Sequence, residues 1–299
     1  MFAANSRRAV SNMVIQTHKT VQCFRDVRRN IPQGMKIGFV PTMGALHEGH
    51  LSLVKEAKAN NDIVVASIYV NPTQFGANED LDKYPRTLEQ DTELLNDLGV
   101  DHLFAPSANM YGKHHVSYVE PTGFDNIAEG KARPGHFRGV ATIVTKLFNV
   151  VQPTNAYFGQ KDAAQCILIR RIVEDLNIDV NICIQDTVRE KDGLAMSSRN
   201  AYLNENERQA AVVLYKSLCG AKELYHDLME SSSAVDADII REKVMSYLQS
   251  EPMVSKIQYV AVDSKETMQP LDEVVLGEGA LVSIACQVGS VRLIDNCIL

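Results

Sequence analysis

The chain lacks two features that would assign it to a membrane or to a nucleic acid. No apolar run in its 299 residues approaches the roughly 18 residues that a membrane-spanning helix requires. Its net charge is −7, whereas binding to a nucleic-acid backbone requires a basic face. We therefore predict neither a membrane nor a nucleic-acid partner. Small anionic ligands remain candidates, because they need only a local basic site.

Paired cysteines are absent as well. The chain has six cysteines, no two of which form a C-x-x-C pair, and all stand in apolar or helical contexts. A metal or redox site is the alternative, but buried reduced thiols are the favoured interpretation, as is usual in the cytosol. We therefore predict a cytoplasmic protein.

The first 25 residues contain no acidic residue, but they include Arg7, Arg8, Lys19 and Arg25. This composition is typical of organelle transit peptides, so an organelle is the alternative location. The segment is short, however, and Met13 stands where a shorter chain could begin. A simple N-terminal extension is the favoured interpretation.

Strands and helices are predicted to alternate through the first two thirds of the chain. The run 63–70 is almost continuously apolar and β-branched, which is typical of a strand buried on both faces of a parallel sheet. Thr87 and Gln90 have the spacing of a capping box. The alternation predicts an α/β fold with a Rossmann-like, doubly wound parallel sheet. The predicted elements cover 20–29, 36–40, 49–57, 63–70, 87–99, 102–105, 139–151, 155–158, 163–176 and 180–184.

After about residue 186 the pattern changes. Two long helices are predicted over 204–229 and 236–249, and strands over 257–262 and 280–294, with a turn at 288–290. Two helices and a small antiparallel sheet indicate a second, smaller α+β domain. We therefore predict a Rossmann-like domain over 1–186, which binds the substrates, and a smaller lid domain over 187–299.

The first chemical motif connects a strand to a helix over residues 36–53. A helix start offers free N–H groups and the positive end of a dipole, which suit a phosphate. Neutral imidazoles at His47 and His50 can donate further N–H bonds, and Gly44 and Gly49 let a nucleotide approach the backbone. One histidine in such a loop is more often a surface or core residue. Two at this spacing favour a nucleotide site.

A second cluster, Gly159-Gln160-Lys161-Asp162, lies between a predicted strand and helix at the same edge of the sheet. A lysine there can pair with phosphates as a point charge. An aspartate at a helix start can bond ribose hydroxyls. The alternative is that Asp162 is an ordinary N-cap and Lys161 a solvated surface residue.

The third cluster, Met196-Ser197-Ser198-Arg199-Asn200, precedes the first long helix of the second domain. Two hydroxyls and a guanidinium can clamp a triphosphate through charge-assisted hydrogen bonds. The alternative is a linker turn, because serine and asparagine favour turns in any protein.

Together the clusters resemble one family, the pantothenate synthetases or pantoate–β-alanine ligases. The matching motifs are P-T-M-G-A-L-H-E-G-H, G-Q-K-D-x-x-Q and M-S-S-R, in that order. The first contains the His-x-Gly-His signature of nucleotidyltransferases and class I aminoacyl-tRNA synthetases. The resemblance extends over residues 17–296. It implies ATP as a substrate, Mg²⁺ as a cofactor and a homodimer.

The resemblance also implies roles for individual residues. Catalytic roles are expected for His47, His50, Lys161, Ser197, Ser198 and Arg199. These residues are expected to contact ATP together with Met43, Gly44, Gly49, Gly159, Gln160, Asp162, Val188 and Met196. Contacts to pantoate or β-alanine are expected from Asn71, Gln74, Arg133 and Gln165. Asp91 is expected on the magnesium side, although a lone helix aspartate is usually solvated. Some family members carry Glu at the position of Gln160, which leaves magnesium placement open.

The activity that the resemblance implies has two steps. The pantoate carboxylate attacks the α-phosphate of ATP to give pantoyl adenylate and pyrophosphate. The β-alanine amine then attacks the adenylate, releasing AMP and pantothenate. The alternatives are a nucleotidyltransferase acting on another small substrate, a class I tRNA synthetase, and an inactive nucleotide-binding regulator. The acidic charge disfavours the synthetase, and both histidines with Lys161 and Arg199 disfavour the inactive regulator.

Overall fold

The computed structural model describes residues 14–77 and 79–299. The predicted N-terminal extension or transit segment before Met13 lies outside the described residues. No helix in the described part of the chain is long and apolar enough to cross a membrane.

A six-stranded, all-parallel sheet forms the first unit. Its strands are β1 (Gln16–His18), β2 (Ile37–Thr42), β3 (Ile63–Ile68), β4 (His102–Phe104), β5 (Asn155–Gly159) and β6 (Asn181–Gln185), and their order is β1-β4-β3-β2-β5-β6. The chain proceeds outward from β2 to β4 on one side and from β5 to β6 on the other. The strand order therefore reverses between β2 and β5, and ligands of open α/β sheets bind at the carboxyl ends of such strands.

Helices cover both faces of this sheet. They are α1 (Val21–Asn30), α2 (Glu48–Asn60), α3 (Leu88–Asp97), α4 (Ala128–Ala132), α5 (His136–Val151) and α6 (Ala163–Asp175). Phe24 of α1, Phe148 of α5 and Leu168 of α6 share one core cluster. Val54 of α2 and Leu95 of α3 belong to the cluster on the other face. The doubly wound arrangement predicted from the alternation is thus confirmed.

Strand β2 is longer than predicted. We expected Pro41 to end it, yet the strand continues to Thr42, and Pro41 is in register with Ser67 of β3. On the other side, β5 pairs only with Gly38 and Phe39. A proline lacks an N–H donor, and it is tolerated here because β2 is paired with only one neighbouring strand at that position.

The second unit is a smaller α+β unit, as predicted. It contains α7 (Glu205–Ala210), α8 (Val213–Met229) and α9 (Ala237–Ser250), a three-stranded antiparallel sheet and a two-stranded one. The three strands are β8 (Val254–Asp263), β10 (Leu281–Val288) and β11 (Val291–Ile298), in the order β11-β10-β8, and the pair is β7 (Ala234–Asp236) with β9 (Glu273–Val275). The boundary at residue 186 stays a prediction.

The single helix predicted over 204–229 is divided in two. The N–H of Val212 bonds to the carbonyl of Gln209, and the N–H of Leu214 bonds to that of Ala211. Bonds that span three residues tighten the backbone relative to an α-helix. The helical pattern of apolar residues continues across this junction, so periodicity alone does not reveal it.

Candidate active site

A cavity of about 250 Å³ opens at the carboxyl ends of β2 and β5. The segments after these two strands line it together with residues 196–199, which precede α7. The predicted residues that line it are Met43, His47, Gly49, His50, Asn71, Gln74, Arg133, Gly159, Lys161, Asp162, Gln165, Val188, Met196, Ser197, Ser198 and Arg199. Gly44, Gln160 and Asp91 are not in its wall.

The two histidines form a cap at the start of α2. His47 is the N-cap residue, and its Nδ1 accepts the N–H of Gly49 at 3.1 Å. The Nδ1 of His50 accepts the N–H of His47 at 3.4 Å. An imidazole nitrogen that accepts a hydrogen bond carries no proton, so in each neutral ring the proton is on Nε2. Each ring therefore has an N–H donor available at the cavity.

Both imidazoles are held neutral. Burial, and then the nearby Lys161 cation, lowers the pKa of His47 to about 4. Burial, and then the adjacent His47, lowers the pKa of His50 to about 3. The ring centroids are 4.1 Å apart, so charging both rings would be costly. At neutral pH the pair donates hydrogen bonds without adding positive charge.

Asp91 fixes the loop that carries the histidines. Its side chain is buried, and its Oδ2 and Oδ1 accept the N–H groups of Ala45 at 2.9 Å and Leu46 at 2.8 Å. Thr87 donates its hydroxyl to the same carboxylate at 3.2 Å instead of capping α3, so the predicted capping box does not form. Both carboxylate oxygens of Asp91 are thus already engaged by hydrogen-bond donors of the protein. Gly44 adopts φ +87° against this carboxylate, which a side chain would contact closely.

Asn71 and Gln74, two of the residues expected to bind the organic acid, lie after β3 and are joined by a hydrogen bond. Asn71 donates its amide N–H to Oε1 of Gln74 at 2.9 Å. The Nδ1 of His136 lies 2.8 Å from the carbonyl oxygen of Gln74, so Nδ1–H is the donor. Burial, and then the charge of Arg133, lowers the pKa of His136 to about 4. The amide groups of Asn71 and Gln74 therefore have a single defined orientation.

Arg133 is engaged by acidic residues. Its Nη2 and Nε donate to the carboxylate of Glu79 at 2.6 and 2.8 Å, and its Nη1 is 3.6 Å from Glu129. Nη2 also donates to the carbonyl of Gln74 at 3.2 Å. The guanidinium thus supports the wall of the cavity through Gln74.

The 196–199 segment contacts the first unit at two points. The hydroxyl of Ser198 donates to the carbonyl of Ala45 at 3.1 Å, within the histidine loop. Arg199 donates from Nε and Nη2 to the carboxylate of Asp80 at 3.0 and 2.9 Å. The cation expected to bind phosphate is therefore paired with a carboxylate in this structure.

Lys161 and Asp162 lie in the 3₁₀ turn Gln160–Asp162 after β5. Their charged groups are 3.8 Å apart, and the lysine side chain is 19% exposed against 49% for the aspartate. The Lys161 ammonium is thus the least tightly paired cation of the cavity wall.

The acidic residues described near the cavity do not by themselves form a complete metal site. No group of three or more His, Cys, Asp or Glu residues in the described part of the chain is arranged to hold an ion. Magnesium does not require such a group, because it commonly takes one or two carboxylates together with substrate phosphates and waters. Asp162 fits that requirement, since it lines the cavity and is half exposed.

Sequence reasoning missed the partners of the expected site residues. These are Glu79, Asp80, Glu129 and Asn296. All lie outside the three motifs, and no local spacing marks them. An unmatched arginine beside a cavity would have indicated that a carboxylate partner exists, but not which one.

A helix N-terminus and two neutral histidines lie where the strand order of the parallel sheet reverses. This arrangement defines the class of the protein. It is an α/β protein of the Rossmann type with a site suited to phosphate groups. Comparison with known proteins specifies the family. The model of the pantoate-beta-alanine ligase family matches residues 13–298.

Two pantothenate synthetases illustrate the similarity in sequence. The protein from Fervidobacterium nodosum is 50% identical over 287 residues, which cover 94% of this chain and 99% of its own. The protein from Thermodesulfovibrio yellowstonii is 51% identical over 268 residues, covering 89% and 93%.

Solved structures of the same family are also similar to this chain. Pantothenate synthetase from Thermus thermophilus has a TM-score of 0.87 at 42% identity, covering 95% of this chain and 99% of its own. The pantoate-beta-alanine ligase from Francisella tularensis, complexed with beta-gamma ATP and beta-alanine, has a TM-score of 0.76 at 36% identity and covers 95% and 97%. The chain belongs to the pantoate–β-alanine ligase family and is an enzyme of that activity. The resemblance identified from the three motifs is confirmed.

Proposed function

We propose that the enzyme activates pantoate with ATP to form pantoyl adenylate and pyrophosphate, and then transfers the pantoyl group to β-alanine with release of AMP. The proposal rests chiefly on the pair of neutral histidines at the start of α2, which line the same cavity as Lys161. The relative from Francisella tularensis, solved in complex with beta-gamma ATP and beta-alanine, supports the choice of substrates.

The first step places new negative charge on phosphate oxygens as the carboxylate attacks the α-phosphorus. Fixed hydrogen-bond donors stabilise such charge because they need no reorganisation during the reaction. We assign this role to the Nε2–H groups of His47 and His50 and to the Lys161 ammonium. Ser197, Ser198 and Arg199 would contact the same phosphates, and Arg199 would then exchange Asp80 for a phosphate oxygen. Gly49, Gly159 and Val188 would contact the nucleotide through the backbone.

The organic acid is proposed to occupy the side of the cavity formed by Asn71, Gln74 and Gln165. Side-chain amides offer both donors and acceptors, as a hydroxy acid requires. The Gln74 amide nitrogen also lies 3.3 Å from the sulfur of Met43, which connects this subsite to the histidine loop. We assign Arg133 to holding Gln74 in place, because its guanidinium is already paired with Glu79.

The second step requires positioning more than proton removal. A neutral amine attacks a mixed anhydride readily once the two reacting groups are held together. This agrees with the cavity wall, which carries several hydrogen-bond donors for phosphate. The Nδ1 atoms of His47 and His50 there already accept hydrogen bonds from backbone N–H groups.

When bound, magnesium would neutralise charge on the phosphates of ATP. Asp162 is the residue we propose on its side of the cavity, in place of Asp91. A homodimer and a cytoplasmic location are proposed from the family resemblance, and sedimentation equilibrium would test the dimer.

Isotope exchange tests the proposed order. Labelled pyrophosphate should exchange into ATP in the presence of pantoate and Mg²⁺ alone, since the amine enters only after the carboxylate is activated. Exchange that requires all three substrates would indicate a concerted reaction. Exchange with β-alanine alone would mean that the wrong carboxylate is activated.

A further inference from the structure

Two adjacent buried residues of β11 contact two separate parts of the nucleotide side of the cavity. Asp295 and Asn296 are 2% and 4% exposed. Adjacent residues of a strand point to opposite faces, so one short segment of the second unit reaches two elements.

Asn296 holds the turn that carries Lys161. Its Nδ2 donates to the carbonyl of Gln160 at 3.0 Å and to the carbonyl of Lys161 at 2.8 Å. Its Oδ1 lies 3.4 Å from the side-chain nitrogen Nε2 of Gln160. Both N–H donors of the Asn296 amide are therefore used on backbone carbonyls. The side chain lines the cavity but has no remaining N–H for a ligand.

Asp295 holds the other segment. Its carboxylate accepts two hydrogen bonds from Arg189, at 2.7 and 3.0 Å. Arg189 also donates to the carbonyl of Gly193 at 3.0 Å. The 188–196 segment leads directly into Ser197 and Arg199, so both anchors on β11 support elements of the proposed phosphate site.

We propose that Asn296 is a positioning residue for Lys161. The inference rests on the proposed role of Lys161 at the phosphates of ATP. Two hydrogen bonds to consecutive carbonyls fix the orientations of the peptide planes on either side of Lys161. They thereby fix the direction in which the Lys161 side chain leaves the backbone. The second unit thus determines the position of a cation that belongs to the first.

The test replaces Asn296 with Ala and measures pantoate-dependent exchange of pyrophosphate into ATP. A misplacement of about 1 Å can cost roughly 100-fold in rate, so we expect exchange to fall by about 10- to 100-fold. The KM for pantoate should change by less than about twofold, because the subsite around Gln74 has no contact with Asn296.

A double variant separates positioning from a general structural effect. If Asn296 acts through Lys161, adding Asn296→Ala to Lys161→Ala should cause little further loss, since coupled residues are not additive. If the double variant instead loses the product of the two single losses, the proposal is wrong. Should Asn296→Ala fail to fold, Asn296→Asp replaces it, because this substitution keeps the shape and removes both N–H donors.

Asn155→Ala is the matched control. Asn155 lies at the opposite end of β5 and also makes two side-chain hydrogen bonds, with Asn61 at 2.7 Å and Asn181 at 3.2 Å. Its exchange activity should be unchanged. Normal exchange in Asn296→Ala would overturn the positioning role, even where Lys161→Ala is impaired. Normal exchange in Lys161→Ala would instead refute the proposed function of Lys161 itself.

Discussion

Replacing Asp91 distinguishes a carboxylate that holds the histidine loop from one that binds magnesium. The side chain is only 1% exposed. Its two oxygens accept the N–H groups of Ala45 and Leu46 at 2.9 and 2.8 Å. In Asp91→Asn the shape is retained, but an amide NH₂ faces one of these two donors.

The magnitude follows from the two hydrogen bonds. A hydrogen bond to a charged group contributes about 1.5–3 kcal/mol, and a buried donor without a partner costs about 1–3 kcal/mol. Since one of the two bonds is lost and the other becomes neutral, the free energy of unfolding should fall by about 2–4 kcal/mol. The corresponding fall in Tm is about 3–6 °C, since an unfolding entropy of about 2.1 cal/mol/K per residue gives about 1.6 °C per kcal/mol for 299 residues.

Urea denaturation and thermal melting measure the loss, and a magnesium titration of the exchange reaction measures the alternative. Glu89→Gln is the control, because Glu89 is an exposed acid in the first turn of the same helix. If the structure is right, Asp91→Asn loses stability while the magnesium concentration for half-maximal exchange stays the same. Unchanged stability with a raised magnesium requirement would refute the reasoning and restore the metal role.

Three further predictions concern the cavity. Because His47 and His50 stay neutral in the folded chain to about pH 4 and 3 but take up protons below about pH 6.5 when unfolded, unfolding free energy should decrease as pH falls from about 6.5 to 4. His50→Gln should reduce this slope, and an unchanged slope would contradict the assignment. His50→Ala should lower adenylate formation by about 10²–10³-fold in a folded protein, as stopped assays of pantoyl adenylate would show, whereas near-normal rates would exclude a hydrogen-bond donor to phosphate at this position. Lys161→Ala should weaken ATP binding more than pantoate binding and Gln74→Ala the reverse, and calorimetric titrations without this contrast would mean that the two subsites are misassigned.

The fold was largely predictable because its determinants are local. Buried parallel strands are continuous apolar runs, and the helices between them show the 3.6-residue period. The structure differs from the prediction where a residue or strand distant in sequence changes the local hydrogen bonding. Thr87 stands at the correct position for a cap, yet its hydroxyl bonds to Asp91. Pro41 does not end β2, because β2 stays paired with β3 there although its pairing with β5 stops at Phe39.

The lining of the site was predictable from the motifs, but the state of its charges was not. The Arg199–Asp80 pair joins residues 119 positions apart, and Arg133 meets Glu79 across 54 positions. No spacing rule connects such residues, since their proximity depends on how loops from different strands converge. A motif therefore indicates which side chains reach a cavity, while their partners are known only from the structure.

These pairings change the electrostatic description of the cavity. It contains three strong cations, yet Arg133 and Arg199 each make two hydrogen bonds to a carboxylate, and both histidines of the α2 cap are neutral. Under the proposed function, phosphate binding would therefore depend on neutral donors, on Lys161 and on the transfer of Arg199 from Asp80 to the ligand. A guanidinium that already has a partner is held near its working position, because its planar group forms the same bidentate geometry with carboxylate and phosphate. An acidic protein of net charge −7 can thus bind a polyanion without maintaining an uncompensated basic cavity.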